Sequence, residues 1–263
     1  MSGAVRHEAA DGVLTVTLAR PEKRNALDQA ATAALIAVFE AAALDDDLRA
    51  IHLTAEGPDF CAGSDWVASN ADGRRPRPAS LVRRLPLQSH RLIELVLGVQ
   101  VPVVATVRGF AAGLGCQLAL AADFAVAAED AVFWEPFVRR GFTPDTGASW
   151  LLPRLVGVAR ARRMLLLGEK VSGAKAAAWG LVHEAVPEPE LDAYARDLVR
   201  TLADGPTVTL GLTKQLILRS AEAPLARAMV DESFGLELAS RTADFREALA
   251  AFRERRPPDF TGR

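Results

Sequence analysis

Short apolar segments alternate with amphipathic helical segments along the first half of the chain, and this order constrains the fold more than any other feature. Val13–Leu18 alternates Val or Leu with Thr, which is typical of a strand, and Asp11-Gly12 before it favours a hairpin turn. After Asp28 the apolar residues recur three and four positions apart, which predicts a helix with Asp28 as its N-cap. The later elements are predicted as strands at Ala50–Thr54, Val101–Val107 and Phe124–Ala127 and as a helix at Leu87–Leu97. This order predicts an α/β fold with buried strands.

The second half of the chain has a mostly helical pattern. An apolar helix is predicted over Trp150–Val156, and Ser172 is predicted to cap a helix over Gly173–Trp179 before a short strand, Leu181–Val186. The four remaining helices are predicted at Leu191–Leu202, Thr207–Ser220, Leu225–Ser240 and Thr242–Arg253. We therefore expect a core over residues 1–200 and a C-terminal helical segment over residues 201–263, which packs on its own core or reaches a neighbouring subunit.

The charge balance and the scarcity of polar groups argue against several classes of protein. The 263 residues carry 31 Lys and Arg against 33 Asp and Glu, a net charge of −2, which disfavours a nucleic-acid-binding protein. The two cysteines form no CxxC motif and the four histidines lie far apart, so we expect no zinc site, no disulfide framework and a cytoplasmic location. The N-terminus lacks the apolar core of a signal peptide, and no apolar run is long enough to span a membrane.

Two segments of small residues follow predicted strands. Phe60–Asp65 (FCAGSD) comes after Ala50–Thr54, and Gly109–Cys116 (GFAAGLGC) comes after Val101–Val107. Small side chains allow a ligand to approach the backbone, and a helix N-terminus presents unpaired N–H groups. Two such segments side by side are able to hold one carbonyl oxygen that becomes negative during a reaction, although each alone is typical of an ordinary tight turn.

Several motifs together resemble the crotonase superfamily, the enoyl-CoA hydratase/isomerase family. The resemblance begins at Arg20–Leu27 (RPEKRNAL) and continues through the two small-residue segments. It extends over PRLVG at Pro153–Gly157, AKAAAWGL at Ala174–Leu181 and FRERRPPDF at Phe252–Phe260. The motifs cover nearly the whole chain in the family's order, which makes the resemblance far more specific than any one motif.

The resemblance implies a spiral of ββα turns with two roughly perpendicular sheets, followed by a helical trimerisation segment. It also implies an acyl-CoA thioester as substrate, no permanently bound cofactor or metal, no nucleic-acid or membrane partner, and a homotrimer or a dimer of trimers. The oxyanion hole of the family consists of two backbone N–H groups, which correspond here to Ser64 and Leu114. Because both residues act through N–H groups, their side chains are free to vary.

The acid and base positions depart from those of the family's hydratases. These enzymes carry two glutamates, which correspond here to Gln117 and Phe137. An amide cannot act as a base near neutral pH, and a phenyl ring cannot act at all. The departure argues against the addition of water by the two-glutamate route.

One carboxylate remains in the region where some family isomerases place their single base. Asp145 lies in Phe142–Ser149 (FTPDTGAS), directly before the predicted helix Trp150–Val156. This Pro-Asp-x-Gly pattern resembles ring-modifying and double-bond-shifting isomerases of the family. A single carboxylate is able to remove a proton from the thioester and return it at another carbon, while the oxyanion hole holds the enolate. The alternative is that Asp145 only caps the following helix.

His90 is the second candidate for the chemistry, since its predicted helix borders the acyl pocket in the family. A related branch, the aromatic acyl-CoA dehalogenases, resembles this chain in having an Asp near position 145 and a His in this helix. The alternative is a histidine that faces solvent. The candidates for an aromatic pocket wall, which otherwise belong to the core, are Phe133, Trp134, Phe137 and Phe142. Glu135 is interpreted as a surface residue or as a residue behind the pocket wall, without a direct role.

Cationic side chains suit the phosphate groups of CoA. The candidates are Lys23, Arg24, Arg255 and Arg256, with plain solvated charge as the alternative for each. In the family, the basic residues near the C-terminus serve the CoA of a neighbouring subunit. By the same resemblance, the CoA site also includes Ala26, Ala62, Asp65 and Trp66. Ser69–Ser80, which is rich in Arg and Pro, is predicted as a mobile loop that helps to shape the acyl pocket.

These residues together predict an enzyme that shifts a double bond through an enolate, with Asp145 as acid and base. Three alternatives stay open: an enoyl-CoA hydratase, an acyl-CoA hydrolase or dehalogenase that uses Asp145 and His90, and a non-catalytic acyl-CoA-binding protein. The acyl group of the substrate is left open by the sequence.

Overall fold

The alternating elements of the first half form one large sheet, and a smaller sheet packs beside it. The computed structural model describes residues 3–65 and 77–263. In chain order its strands are β1 (Val5–Ala10), β2 (Val13–Leu18), β3 (Ala50–Ala55), β4 (Val103–Val107), β5 (Phe110–Ala112), β6 (Phe124–Ala128), β7 (Val132–Trp134), β8 (Lys170–Ser172) and β9 (Glu184–Val186). The large sheet has the order β1-β2-β3-β4-β6-β9, and the small sheet has the order β5-β7-β8.

The helices lie mainly in the second half of the chain. They are α1 (Gln29–Ala42), α2 (Ser80–Arg84), α3 (Ser89–Gly98), α4 (Leu114–Leu120), α5 (Ala148–Leu167), α6 (Gly173–Trp179), α7 (Leu191–Ala203), α8 (Thr207–Ser220), α9 (Leu225–Ala239) and α10 (Ala243–Glu254). Short 3₁₀ turns occur at Pro21–Lys23, Leu85–Leu87, Val138–Arg140 and Glu188–Glu190. Among the residues described, no helix is both long enough and apolar enough to cross a membrane.

The large sheet confirms the predicted α/β arrangement. β1 and β2 form an antiparallel hairpin around Asp11-Gly12, where both residues have positive φ (50° and 75°). The other neighbours, from β2 to β9, pair in parallel. All five residues of β4 are buried, as expected for a parallel strand covered on both faces. The core therefore lies around the strands whose carboxyl ends lead into the two small-residue segments.

The small sheet is the part of the fold that the sequence pattern did not predict. β5 pairs in parallel with β7, and β7 pairs antiparallel with β8. Each of these strands has three residues, which is too short to show a period-2 alternation. Their position matters for the site, since β5 leads into α4 and β7 leads into the segment that carries Glu135.

The two predicted helix caps, Asp28 and Ser172, are confirmed. The carboxylate of Asp28 accepts the N–H of Ala31 at 2.8 Å, and Ser172 Oγ accepts the N–H of Lys175 at 3.3 Å. The predicted helix Trp150–Val156 is part of the longer α5, which Gly157 interrupts with a φ of 74°. The predicted helix Leu87–Leu97 begins later, at Ser89, because residues 85–87 form a 3₁₀ turn that contains Pro86.

The C-terminal helices are attached to the core by polar contacts. Lys214 on α8 forms an ion pair with Asp123 at 2.7 Å, and the Arg49 guanidinium donates to the carbonyl oxygens of Gly205 and Phe260, both at 2.9 Å. Large apolar side chains of α8 and α9 face outward, among them Ile217, Leu225, Met229 and Phe234.

The division at residue 200 stays a prediction. Most of the predicted loop Ser69–Ser80 lies outside the described residues, while Ser80 itself is buried at the start of α2.

Candidate active site

The two small-residue segments lie against each other. An isolated bridge joins Cys61 to Ala111, and the N–H of Ala112 donates to the carbonyl oxygen of Cys61 at 2.9 Å. A Cβ on Gly115 would lie 2.4 Å from the same oxygen, and a Cβ on Gly63 would lie 2.5 Å from the oxygen of Ala112. The approach of the two backbones therefore requires glycine at both positions.

The N–H groups of Ser64 and Leu114 stay unpaired at this contact. In the parallel bridge between Leu27 and Ser64, the N–H of Leu27 donates to the carbonyl oxygen of Gly63, and the N–H of Asp65 donates to the carbonyl oxygen of Leu27. The N–H of Ser64 takes no part in this bridge. Leu114 is the first residue of α4, where an N–H has no partner within the helix. Neither N–H has an acceptor within residues 3–65 and 77–263. The two N–H groups that the family resemblance predicted as donors are therefore available to a ligand.

Both turns open into one shallow cleft. Its walls are the two turns (Ala62, Gly63, Ser64, Ala112, Gly113 and Leu114), the residues Pro136, Phe137, Arg140 and Phe142, and Asp145. The rings of Phe137 and Phe142 meet edge to face, with centroids 5.6 Å apart, and form an apolar wall. Of the four aromatic candidates, these two line the cleft, whereas Phe133 belongs to the core and Trp134 is half-buried beside it.

Asp145 is the carboxylate that faces this cleft. Its side chain is partly buried, and this burial raises the pKa of Asp145, while the neighbouring His90 acts in the opposite direction. Asp145 does not cap α5, since Gly147 occupies the N-cap position and no side chain caps the helix. The capping alternative is therefore wrong, because the chain turns through Thr146 and Gly147 before the helix begins.

His90 reaches across from α3 to the Asp145 loop. Its Nε2 lies 2.6 Å from the backbone oxygen of Asp145, and the residue is half-buried. The contact requires Nε2 to carry a proton, since a carbonyl oxygen only accepts. The solvent-facing alternative is therefore wrong, and His90 instead holds the loop that carries Asp145.

A chain of buried polar groups lies behind Asp145. Thr146 Oγ1 donates to Gln117 Oε1 at 3.0 Å, and Gln117 Nε2 donates to Glu135 Oε1 at 2.5 Å. All three side chains are almost completely buried. Of the two interpretations of Glu135, the surface residue is therefore wrong, whereas full burial outside the lining of the cleft agrees with a residue behind the pocket wall. Glu135 follows β7 directly and lies inward, where it contacts Gln117 on α4.

Comparison with known proteins establishes the family of this chain. The model of the enoyl-CoA hydratase/isomerase family matches residues 8–263. This chain belongs to that family. A protein of Rhodobacter capsulatus named "Probable enoyl-CoA hydratase" is 39% identical over 98% of both chains, and the 1,2-epoxyphenylacetyl-CoA isomerase of Escherichia coli is 39% identical over 96% of both. The solved structure of an enoyl-CoA hydratase from Bacillus anthracis superposes with a TM-score of 0.92 and 28% identity, covering 99% of this chain and 100% of that one.

Membership of the enoyl-CoA hydratase/isomerase family confirms the crotonase fold and an enzyme of this class, with an acyl-CoA substrate implied. Within the described part of the chain, no group of three His, Cys, Asp or Glu side chains is arranged to hold a metal ion. Cys61 and Cys116 are free and buried, and burial raises the pKa of the Cys61 thiol to about 12.

The predicted CoA-binding residues of the N-terminal half lie beside the first turn. The N–H of Ala62 donates to the oxygen of Arg24 at 2.9 Å, and Ala26 accepts at its oxygen from Arg20 at 3.1 Å. Lys23 and Arg24 are exposed next to this contact, and the Arg24 guanidinium lies 3.6 Å from Asp59 and 5.8 Å from the ring centroid of Phe110. The two cations therefore flank the segment that presents the Ser64 N–H.

The remaining predicted CoA-binding residues have other surroundings. Asp65 lies 3.6 Å from the Arg20 guanidinium and is largely buried, which indicates a structural role for its carboxylate. Arg256 pairs with Glu247 and Glu254 at 2.5 and 2.7 Å, so its charge is neutralised locally. In the ranges 3–65 and 77–263, no hydrogen bond or ion pair joins Arg255 or Arg256 to the cleft. Trp66 lies outside the described residues.

Proposed function

We propose that this chain is a CoA-thioester isomerase that shifts a double bond through an enolate. The observation that carries the proposal is the cleft itself, in which Asp145 and the free N–H groups of Ser64 and Leu114 meet. One carboxylate and two donors are sufficient for an isomerisation, because the same group removes the proton and returns it.

The proposed reaction moves one proton and leaves the atom count unchanged. The Asp145 carboxylate removes a proton from the α or γ carbon, and the electron pair of that C–H bond moves to the thioester oxygen. The N–H groups of Ser64 and Leu114 stabilise the negative oxygen, an interaction typically worth several kcal/mol. The protonated Asp145 then returns the proton at the other carbon, and the double bond forms one position along the chain.

The burial of Asp145 supports its proposed role. A carboxylate with a raised pKa is a stronger base than a solvated one, and it also holds a proton more readily for the return step. Burial favours both halves of the reaction as long as the operating pH keeps Asp145 ionised at the start.

Hydration is a weaker proposal for this cleft. The positions of the hydratase glutamates carry a buried amide, Gln117, and a phenyl ring, Phe137. Glu135 supplies a second carboxyl group, but it is fully buried and is not among the described residues that line the cleft. A water molecule in the cleft therefore meets one carboxylate, Asp145, where the two-glutamate route needs two.

A second candidate function is hydrolysis or dehalogenation through Asp145 and His90. The contact of 2.6 Å between His90 Nε2 and the Asp145 loop favours it, since the histidine and the aspartate share one region. However, Nε2 is engaged by a backbone oxygen, which leaves only Nδ1 to activate water. Replacement of each residue distinguishes the candidates: loss of activity in Asp145→Asn but not in His90→Gln supports the isomerase, and loss in both supports hydrolysis.

The cleft also suggests the kind of substrate. The edge-to-face pair of Phe137 and Phe142 offers an apolar wall that suits an aromatic or alicyclic acyl group. The Escherichia coli relative is named for a phenylacetyl-derived thioester, which agrees with this wall.

Lys23 and Arg24 are the proposed partners of the CoA phosphates, since both are exposed beside the first turn.

The experiment that tests the function compares two reactions of the purified protein. A 3-enoyl-CoA is followed for conversion to the 2-enoyl isomer, and crotonyl-CoA is followed for hydration. We expect the double-bond shift and little hydration. Fast hydration without a shift would overturn the proposal, and CoA binding with no turnover, unaffected by Asp145→Asn, would instead favour a non-catalytic acyl-CoA-binding protein.

We also propose a homotrimer or a dimer of trimers. The exposed apolar side chains of α8 and α9, such as Ile217 and Phe234, are 68% and 67% exposed in the single chain, which is unfavourable unless another subunit covers them. Sedimentation equilibrium tests this directly, and a monomer across the accessible concentration range would contradict it.

A further inference from the structure

The Glu135 carboxyl group lies in the protein interior with one oxygen paired and the other without a partner. Glu135 is fully buried, its Oε1 accepts a hydrogen bond from Gln117 Nε2, and its Oε2 has no hydrogen-bond partner in the described part of the chain. An ionised carboxylate in this position would be strongly destabilising, whereas a protonated carboxyl group is tolerated far better. The environment therefore favours a Glu135 that keeps its proton.

The hydrogen-bond chain connects Glu135 to the Asp145 loop. Gln117 donates to Glu135 at 2.5 Å and accepts from Thr146 at 3.0 Å, and Thr146 is the direct neighbour of Asp145. Because the amide uses both ends, its orientation is fixed, and Glu135 is the terminal acceptor that fixes it.

Glu135 and Asp145 differ in burial, and this difference separates their protonation states. Burial raises the pKa of Glu135 to about 8, and the negative charge of Asp145 acts in the same direction. The other groups on this side of the cleft are Cys116 on α4, His90 across the Asp145 loop, and Arg140 on the wall of the cleft. Full burial therefore favours the protonated form of Glu135, whereas Asp145, which is only partly buried at the cleft, is less strongly affected.

We infer that Glu135 is a positioning residue for the reaction at Asp145. As a neutral carboxyl group it fixes Gln117 and Thr146, and with them the Asp145 loop, without adding a second negative charge close to the enolate. This inference rests on the proposed function of Asp145 as the acid and base. When Glu135 loses its proton, its negative charge opposes the charge that develops on the thioester oxygen as Asp145 takes up the proton, and turnover falls.

The test is the pH profile of kcat in Glu135→Gln, which keeps the size and the acceptor oxygen but cannot ionise. We expect kcat of the unaltered protein to fall above about pH 8, and we expect this alkaline decrease to be missing in the variant. Below about pH 7 the kcat of the variant is expected within about threefold of the unaltered protein. Glu129→Gln removes an exposed carboxylate of the same region and is the matched control, which keeps the alkaline decrease.

A second variant separates positioning from charge. Glu135→Ala leaves Gln117 Nε2 without an acceptor, so we expect kcat to fall about tenfold at every pH while KM for the thioester stays unchanged. An alkaline decrease that is identical in Glu135→Gln and the unaltered protein overturns the inference, as does an unaltered protein with no alkaline decrease. Thermal unfolding of each variant establishes that it is folded.

Infrared difference spectroscopy measures the proton on Glu135 without reference to activity. We expect a protonated-carboxyl band at neutral pH that disappears near pH 8, is present in Asp145→Asn and is absent in Glu135→Gln. Absence of the band from the unaltered protein at neutral pH contradicts the inference. Asp145→Asn with full isomerase activity contradicts the proposed function instead, and with it the claim that Glu135 acts through Asp145, whatever the band shows.

Discussion

The two sides of the cleft are held in different ways. On one side, the N–H donors of Ser64 and Leu114 belong to turns whose backbones touch, with Gly63 and Gly115 at the points of closest approach. On the other side, Asp145 lies on a loop that is held by side chains: His90 contacts its backbone oxygen, and Thr146 joins it to Gln117 and Glu135. The donor side is therefore fixed by backbone geometry, and the acid–base side is fixed by polar contacts.

The two sides of the cleft therefore tolerate different substitutions. A backbone donor is independent of its own side chain but is sensitive to any added atom at the glycines that bring the turns together. A side-chain network responds to isosteric changes that leave volume unaltered, because it depends on charge and on hydrogen-bond direction. Substitutions of the two kinds should therefore separate the two sides experimentally.

The largest expected effect is on the acid–base side. Asp145→Asn removes the base and keeps its size, so we expect kcat for the double-bond shift to fall about 10²- to 10⁴-fold, with KM nearly unchanged. Steady-state kinetics with a 3-enoyl-CoA measure it. Asp130→Asn, which replaces an exposed aspartate, is the control and should keep full activity. Activity in Asp145→Asn close to that of the unaltered protein means that another group moves the proton.

The donor side is tested by Gly63→Ala. The new Cβ would lie 2.5 Å from the Ala112 oxygen at a φ of 91°, so the two turns must separate. We expect kcat to fall about 10²- to 10³-fold, because the N–H groups no longer converge on one oxygen. Gly141→Ala is the control, since Gly141 has a φ of 77° but no atom within 4 Å of its Cβ position. If kcat falls equally in Gly63→Ala and Gly141→Ala, backbone strain alone explains the loss.

The side-chain network also makes stability depend on pH. The pKa of Glu135 is about 8 in the folded protein against an ordinary value of 4.5, so between these pH values the folded state binds one proton more than the unfolded state. The free energy of unfolding should fall as pH rises through this window, by at most about 1.4 kcal/mol per pH unit, and stay level above it. Urea unfolding compares the protein with Glu135→Gln, in which this decrease is expected to be absent. Parallel curves for the two proteins contradict the assignment.

The smallest expected effect concerns His90. His90→Ala removes the hydrogen bond to the Asp145 loop, which is worth about 1 kcal/mol, so kcat should fall about fivefold. His90→Gln is able to donate to the same oxygen and should recover most of this loss. If His90→Gln loses as much activity as Asp145→Asn, the histidine acts on the substrate or on water, and the hydrolytic candidate gains support.

Much of the fold and part of the cleft follow from the sequence. Some features can be predicted from a short stretch of sequence alone. They are the helix caps Asp28 and Ser172, the long strands and the two small-residue turns. The family motifs then selected Ser64, Leu114 and Asp145, and the structure brings all three to one cleft.

The parts that sequence reasoning missed depend on contacts between distant segments. Glu135 has ordinary neighbours in sequence, and its burial comes from β7 pairing with β5 and β8, three strands too short to predict. The role of His90 likewise depends on how α3 meets a loop 55 residues later in the chain. The available signal in the sequence was the acidic residue itself, since Glu135 lies two positions before Phe137, where the family's hydratases carry a glutamate.

The use of backbone donors has a consequence for protein engineering. The N–H groups of Ser64 and Leu114 survive replacement of either side chain by any residue except proline, and Phe137, Phe142 and Arg140 form a separate wall of the cleft. If the proposed function holds, the acyl pocket can therefore be redesigned without rebuilding the N–H donors. A library confined to these three wall positions would sample new acyl groups while leaving both backbone donors unchanged.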